Sequence, residues 1–158
     1  MIKIIGIGKL KEKSSVALYD EYIKRISLYS KLETIEVPDQ KIPDKVSDKE
    51  VEQILTKEGK AVLEKIKNDE YVILLDLHGK MMDSETFASH IEQVFVRGKS
   101  TITFVIGGSL GVSKDLVNRA DLRFKMSDLT FPHQLVRVLL AEQIYRAFTI
   151  QKGITYHK

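Results

Sequence analysis

The chain has 158 residues, 43% hydrophobic and 30% charged, a balance that describes a soluble globular protein with room for a real core and excludes a disordered one. It has no cysteine, which excludes disulfides, thiolate catalysis and zinc–thiolate sites and fits a cytoplasmic location. The net charge is +3, and no stretch approaches the ~20 apolar residues of a membrane span; the opening M-I-K-I-I-G-I-G-K is too short an apolar run for a signal peptide.

From the N-terminus, Ile2 to Ile7 reads as a short apolar strand. Ser14 or Ser15 caps a helix through about Tyr29, with Val16, Leu18, Tyr19, Tyr22, Ile23 and Ile26 as apolar positions. Leu32 to Val37 alternates as a strand, and Pro38 to Asp44 is a loop. Ser47 and Glu50 frame a capping box that opens a densely charged surface helix to about Lys67, with Ile54, Val62 and Ile66 as its stripe. Tyr71 to Leu77 is a buried strand, and Asp83 or Ser84 starts a helix to about Val96. Ile102 to Ile106 is a second buried strand, Ser113 starts a short helix to about Arg119, and Leu122 to Lys125 is the last strand. Pro132 falls in the first turn of a final helix that runs to about Gln151 and stops at Gly153. Strands and helices alternate without repeats, which predicts an α/β fold: a mostly parallel sheet with helices on both faces.

Two loops stand out. Ile106-Gly107-Gly108-Ser109-Leu110-Gly111 follows a strand, where glycine lets the backbone approach a ligand and turn its N–H groups toward it. The spacing is neither the dinucleotide fingerprint nor a Walker loop, and a tight turn with no ligand fits it equally well. The second loop, Met126 to Phe131, offers hydroxyls, a carboxylate and backbone groups between Phe124 and Phe131, a setting for a flat heterocycle. Thr130 or Asp128 capping the next helix is the ordinary alternative. Two such loops at the carboxyl ends of strands form a ligand crevice. His78 lies where it can line that crevice, on the same side as Asp76 if the strand continues, while His90 is expected in solvent. No pair among His78, His90, His133 and His157 has metal-ligand spacing on a common face, so no metal is expected.

On the final helix His133 and Arg137 share a face; Glu142 and Arg146, roughly opposite, form either an ion pair or a polar pair within an interface. The helix is apolar around most of its circumference, which predicts burial on more than one side, in the core or between subunits. Beyond residue 122, Arg123, Lys125, Arg137, Arg146, Lys152 and Lys158 face only Asp128 and Glu142. This weakly basic end suits RNA phosphates or, more plainly, water.

Taken in order, I-G-G-S-x-G, S-x-x-T-F-P-H-Q-L-x-R, E-Q-I-Y-R-A and the terminal G-x-x-Y-H-K resemble the RlmH family, bacterial members of the SPOUT class of RNA methyltransferases. The opening I-x-I-x-x-x-G-K-L-K-E and the V-P-D ahead of the S-D-K-E helix are similar too, so the likeness covers essentially the whole chain. Each motif alone is weak; the ordered set is specific. The resemblance implies a single SPOUT-like domain over residues 1–158 with a trefoil knot in its C-terminal half, a rare exception to unknotted topology. It implies a homodimer that uses S-adenosylmethionine to methylate N3 of a pseudouridine in 23S ribosomal RNA on the assembled ribosome. The family's cofactor positions fall on Leu75, Gly107, Met126, Ser127, Asp128, Leu129, Thr130 and Phe131, with backbone atoms binding at variable positions such as Asp76 and Met126. The N3 proton must leave, and His133, Glu142 and His157 are candidates for the base. Arg137 and Arg146 are candidates to hold phosphate or a uracil oxygen, and Tyr156 to stack on a base. In the family a flexible tail completes the site, of its own subunit or its partner's. Two other readings stay open: a non-catalytic ribosome-binding or assembly factor on the same fold, and a nucleotide-binding oxidoreductase, disfavoured by the glycine spacing.

Overall fold

Ile2, Ile4, Ile5 and Ile7 are all buried although they point alternately to opposite sides, as expected for a parallel strand covered on both faces. In the computed structural model, which describes residues 1–158, this strand, β1 (Ile2–Ile7), lies inside a five-stranded sheet. The others are β2 (Leu32–Val37), β3 (Tyr71–Met81), β4 (Ile102–Ile106) and β5 (Leu122–Lys125). The order is β2-β1-β4-β3-β5, and every pairing is parallel. Helices α1 (Lys13–Ile26), α3 (Ser84–Val96) and α5 (His133–Gln151) cover one face; α2 (Asp48–Leu63) and α4 (Lys114–Arg119) cover the other. The larger core joins Ile4, Ile73, Phe104 and Phe124 to Phe87, Ile91, Ile144 and Phe148. The smaller joins Ile5, Leu74 and Val105 to Val62 and Leu116.

The final helix is buried on two sides within this one chain, because α5 packs between α1 and α3. Val138, Leu140, Ala141, Ile144, Ala147 and Phe148 are buried, while Leu135 remains exposed and Leu139 partly so. Gly153, at φ +63°, ends the helix, and the N–H of Ile154 turns back to the Thr149 carbonyl at 2.9 Å.

Several boundaries differ from the sequence reading. Helix α1 begins at Lys13 behind Glu12, ahead of Ser14 and Ser15. The side-chain oxygen of Gln134 on α5 accepts from the N–H groups of Lys11 and Glu12 at 3.0 and 3.3 Å, so a tertiary contact sets this end. Helices α1 and α2 stop at Ile26 and Leu63 and continue only as tight turns, such as Tyr29 N–H to Ile26 at 2.9 Å and Lys65 N–H to Val62 at 2.9 Å. Pro132 stands at the N-cap, one residue before the helix. The capping box at Ser47 and Glu50 forms as expected.

Strand β3 runs on to Met81. It breaks register after Leu75, and Lys80 and Met81 return to pair with Phe124 and Lys125 of β5. Gly79 permits this, since a Cβ there would lie 2.6 Å from the Arg123 carbonyl group. His90 is not a solvent residue: its ring packs on Tyr71, with Nε2 3.1 Å from the tyrosine hydroxyl. Burial lowers its pKa, which favours the neutral ring.

Candidate active site

The carboxyl ends of β3, β4 and β5 border a crevice of about 560 Å³. Leu75, Ile106, Val112, Phe124, Met126, Phe131 and Val136 give it apolar walls. Asp76, His78, Arg123, Lys125, Ser127, Thr130 and His133 bring polar groups to it. Both loops singled out from the sequence contribute, the glycine turn after β4 and the segment after β5.

The glycine turn closes on itself. A Cβ at Gly107 would lie 2.6 Å from Val112 Cγ1 and 2.9 Å from the Gly111 carbonyl oxygen, so only glycine allows this closure. Gly111, at φ +102°, donates its N–H to the Gly108 carbonyl at 3.1 Å. It is the only main-chain N–H between residues 107 and 112 with a partner in the protein. In the second loop only the Leu129 N–H is paired, to Ser127 Oγ at 2.9 Å. Two runs of available N–H donors beside an apolar wall fit a flat heterocycle carrying polar substituents.

Of the expected cofactor positions, Leu75, Gly107, Met126, Ser127, Leu129, Thr130 and Phe131 line the crevice. Asp128 does not; it is exposed and ion-paired to Lys125 at 2.5 Å. Beneath the turn lies a residue the sequence reading passed over. The buried Glu58 carboxylate sits 3.1 Å from the point a Gly108 Cβ would occupy. Burial, with the charge of Asp39, pushes its pKa up. The signal was available: Glu58 falls four residues from both Ile54 and Val62, on the apolar stripe of α2.

The candidate catalytic residues divide into three groups. His133 lines the crevice, and its Nδ1 is buried without a hydrogen-bond partner. Arg137, 3% exposed, lies outside the crevice. Its Nη1 donates to Glu36 at 2.6 Å and its Nη2 to the Gly8 carbonyl at 2.9 Å, which ties α5 to the ends of β1 and β2. Its guanidinium rests on Gly6, where any Cβ would collide with it.

Glu142, Arg146, Tyr156 and His157 form the third group. Arg146 donates through Nε and Nη2 to one Glu142 oxygen, at 3.0 and 2.5 Å. The Tyr156 hydroxyl donates to the same oxygen at 3.0 Å, and Arg146 lies over the Tyr156 ring at 4.8 Å. His157 Nδ1 is 3.1 Å from Arg146 Nη1. Burial and the hydrogen bonds to Glu142 and Tyr22 raise the Tyr156 pKa, so it stays a phenol. The tail thus packs onto α5. Arg146 is 13 positions beyond His133, about 20 Å along the helix at ~1.5 Å per residue, so one chain does not bring this group to its own crevice.

The family described as "Predicted SPOUT methyltransferase" matches residues 1–157. Ribosomal RNA large subunit methyltransferase H 1 of Clostridium perfringens (strain SM101 / Type A) is 55% identical over 157 residues, 99% of each chain. The chain belongs to the RlmH family of SPOUT methyltransferases. Ribosomal RNA large subunit methyltransferase H of Enterococcus faecalis (strain ATCC 700802 / V583) is 50% identical over the same share of both chains. Among solved structures, a probable methylase family protein from Haemophilus influenzae Rd KW20 aligns with a TM-score of 0.55. That alignment covers 99% of this chain and 70% of that one; at 12% identity the likeness is one of fold. In this SPOUT methyltransferase the glycine turn after β4 and the loop after β5 are the two that border the crevice.

Proposed function

We propose that the protein transfers a methyl group from S-adenosylmethionine to N3 of a pseudouridine in 23S ribosomal RNA on the assembled ribosome, in the cytoplasm. The observation that carries this reading is the end-to-end identity, 50 to 55%, with proteins named ribosomal RNA large subunit methyltransferase H. The whole chain acts as one SPOUT-like domain, and its C-terminal half threads a trefoil knot that holds the two crevice loops together.

S-adenosylmethionine supplies a methyl group on a sulfonium, ready for in-line displacement. The chain's task is to position two reactants and exclude water. The apolar walls take the adenine, and the unpaired N–H groups after Gly107 and Met126 meet its polar edge and the ribose. Leu75 contributes through its backbone. His133, which lines the crevice, takes the N3 proton.

Two copies make the working unit. The pinned group of Glu142, Arg146, Tyr156 and His157 lies far from its own crevice, and exposed Leu135 on α5 offers apolar surface for association. In a homodimer the tail of one subunit reaches the crevice of the other, where Arg146 meets phosphate and Tyr156 stacks on a base. The modest net charge of +3 agrees with a substrate recognised by the shape of the ribosome rather than by bulk charge.

Gly107→Arg tests the site. Its Cβ alone collides with Val112 and the Gly111 carbonyl and forces the turn at the crevice edge open, so it should abolish S-adenosylhomocysteine binding in calorimetry, with the dimer intact by sedimentation. Unchanged affinity would refute the site assignment.

A further inference from the structure

The crevice contains one cation whose hydrogen-bonding fork is unused. Arg123, on β5, donates Nε to Asp76 Oδ2 at 2.7 Å, and its side chain makes no other hydrogen bond within the protein. Its side chain is 38% exposed, whereas that of Asp76 is 6% exposed. The other cation lining the crevice, the Lys125 ammonium, is paired with Asp128.

Asp76 is in turn held in place. Its second oxygen, Oδ1, accepts the N–H of His78 at 2.9 Å across the irregular turn of β3. Burial alone would raise the Asp76 pKa, but the His78 N–H and the Arg123 guanidinium outweigh it and hold the group ionised. The backbone fixes the carboxylate, and the carboxylate fixes the guanidinium from its Nε side. Nη1 and Nη2 remain as two parallel donors at the crevice, the geometry that receives both oxygens of an oxyanion.

We propose that Arg123, oriented by Asp76, is the anion anchor of the crevice. It binds an oxyanion presented there: the carboxylate of the methyl donor's amino-acid moiety, or a phosphate of the RNA substrate. This rests on the methyltransferase reading above. In it Arg123 touches ligand, and Asp76 is a positioning residue that acts through Arg123.

The test is calorimetric binding of S-adenosylhomocysteine and of 5′-methylthioadenosine, which lacks the amino-acid moiety, to the full-length wild type, Arg123→Met, Arg123→Lys and Asp76→Asn. If the anion is the cofactor's, Arg123→Met weakens S-adenosylhomocysteine roughly 10- to 100-fold, the range for a charge-assisted hydrogen bond, and leaves methylthioadenosine unchanged. Arg123→Lys then restores part of the loss, and Asp76→Asn falls between. If the anion is RNA phosphate, both nucleosides bind Arg123→Met as they bind the wild type. The ribosome concentration for half-maximal methylation then rises, with a shallower salt dependence. Equal weakening of both nucleosides, or no change in either binding or ribosome dependence, overturns the proposal. A wild-type protein that binds no S-adenosylhomocysteine overturns the methyltransferase reading itself, and the proposal with it.

Discussion

Arg137 shows how one side chain can fix the relation between elements. Its guanidinium occupies the space a side chain at position 6 would need and joins Glu36 to the Gly8 carbonyl, so three elements meet on one buried cation. The sequence showed that Arg137 shares a helix face with His133, but not that the two diverge, one under the sheet ends and one into the crevice. That distinction depends on Gly6, 131 positions away in the chain. Glu58 is a second such residue. Its pKa is raised, so the native state binds a proton more tightly than the unfolded chain, and stability falls as pH rises through the interval above the ordinary carboxylate range. Glu58→Gln removes this titration. Its melting temperature should exceed wild type by roughly 2 °C or more at pH 8, with no gain at pH 4, where both side chains are neutral. Equal melting curves at pH 8 would contradict the assignment.

The elements themselves were legible to the extent that they rest on local signals. Ile2–Ile7, Leu32–Val37, Ile102–Ile106 and Leu122–Lys125 match their expected limits because each is a short apolar or alternating run bounded by breakers. The β3 extension was hidden, since Lys80 and Met81 pair only after a register break that needs Gly79 against β5. So was the buried ion pair between β1 and the start of β3. Lys3 Nζ meets Glu70 Oε1 at 2.6 Å and the Lys65 carbonyl at 3.0 Å, while Thr103 donates to the other Glu70 oxygen at 2.6 Å. A lysine inside an isoleucine run looks like a solvent-facing position. It is buried because the segment after α2 folds over it and supplies two acceptors. Lys3→Met leaves the Glu70 carboxylate buried with Thr103 alone and should cost about 3–5 kcal/mol in urea denaturation. Adding Glu70→Gln should recover more than half of that loss. A single-variant loss below about 1 kcal/mol would mean the pair is not the structural tie described here.

At the scale of the molecule, an all-parallel sheet directs its strand ends, and both signature loops, to one edge, and the crevice follows from that arrangement. Its location could be read from the glycines and the carboxyl ends of the strands. The separation between His133 and Arg146 was also implicit in the length of α5, but the return of the tail was not: Tyr156 and His157 are held at Glu142 and Arg146 by contacts that no local signal announces. That separation is why the proposed enzyme needs a second subunit. Methyl transfer to ribosomal RNA can be measured directly. Ribosomes from cells lacking this protein should be incubated with it and labelled S-adenosylmethionine, and the 23S RNA mapped by mass. One new methyl group, on a pseudouridine, is expected in intact ribosomes. No transfer, with cofactor binding established separately, would contradict this reading and favour a ribosome-binding factor on the same fold.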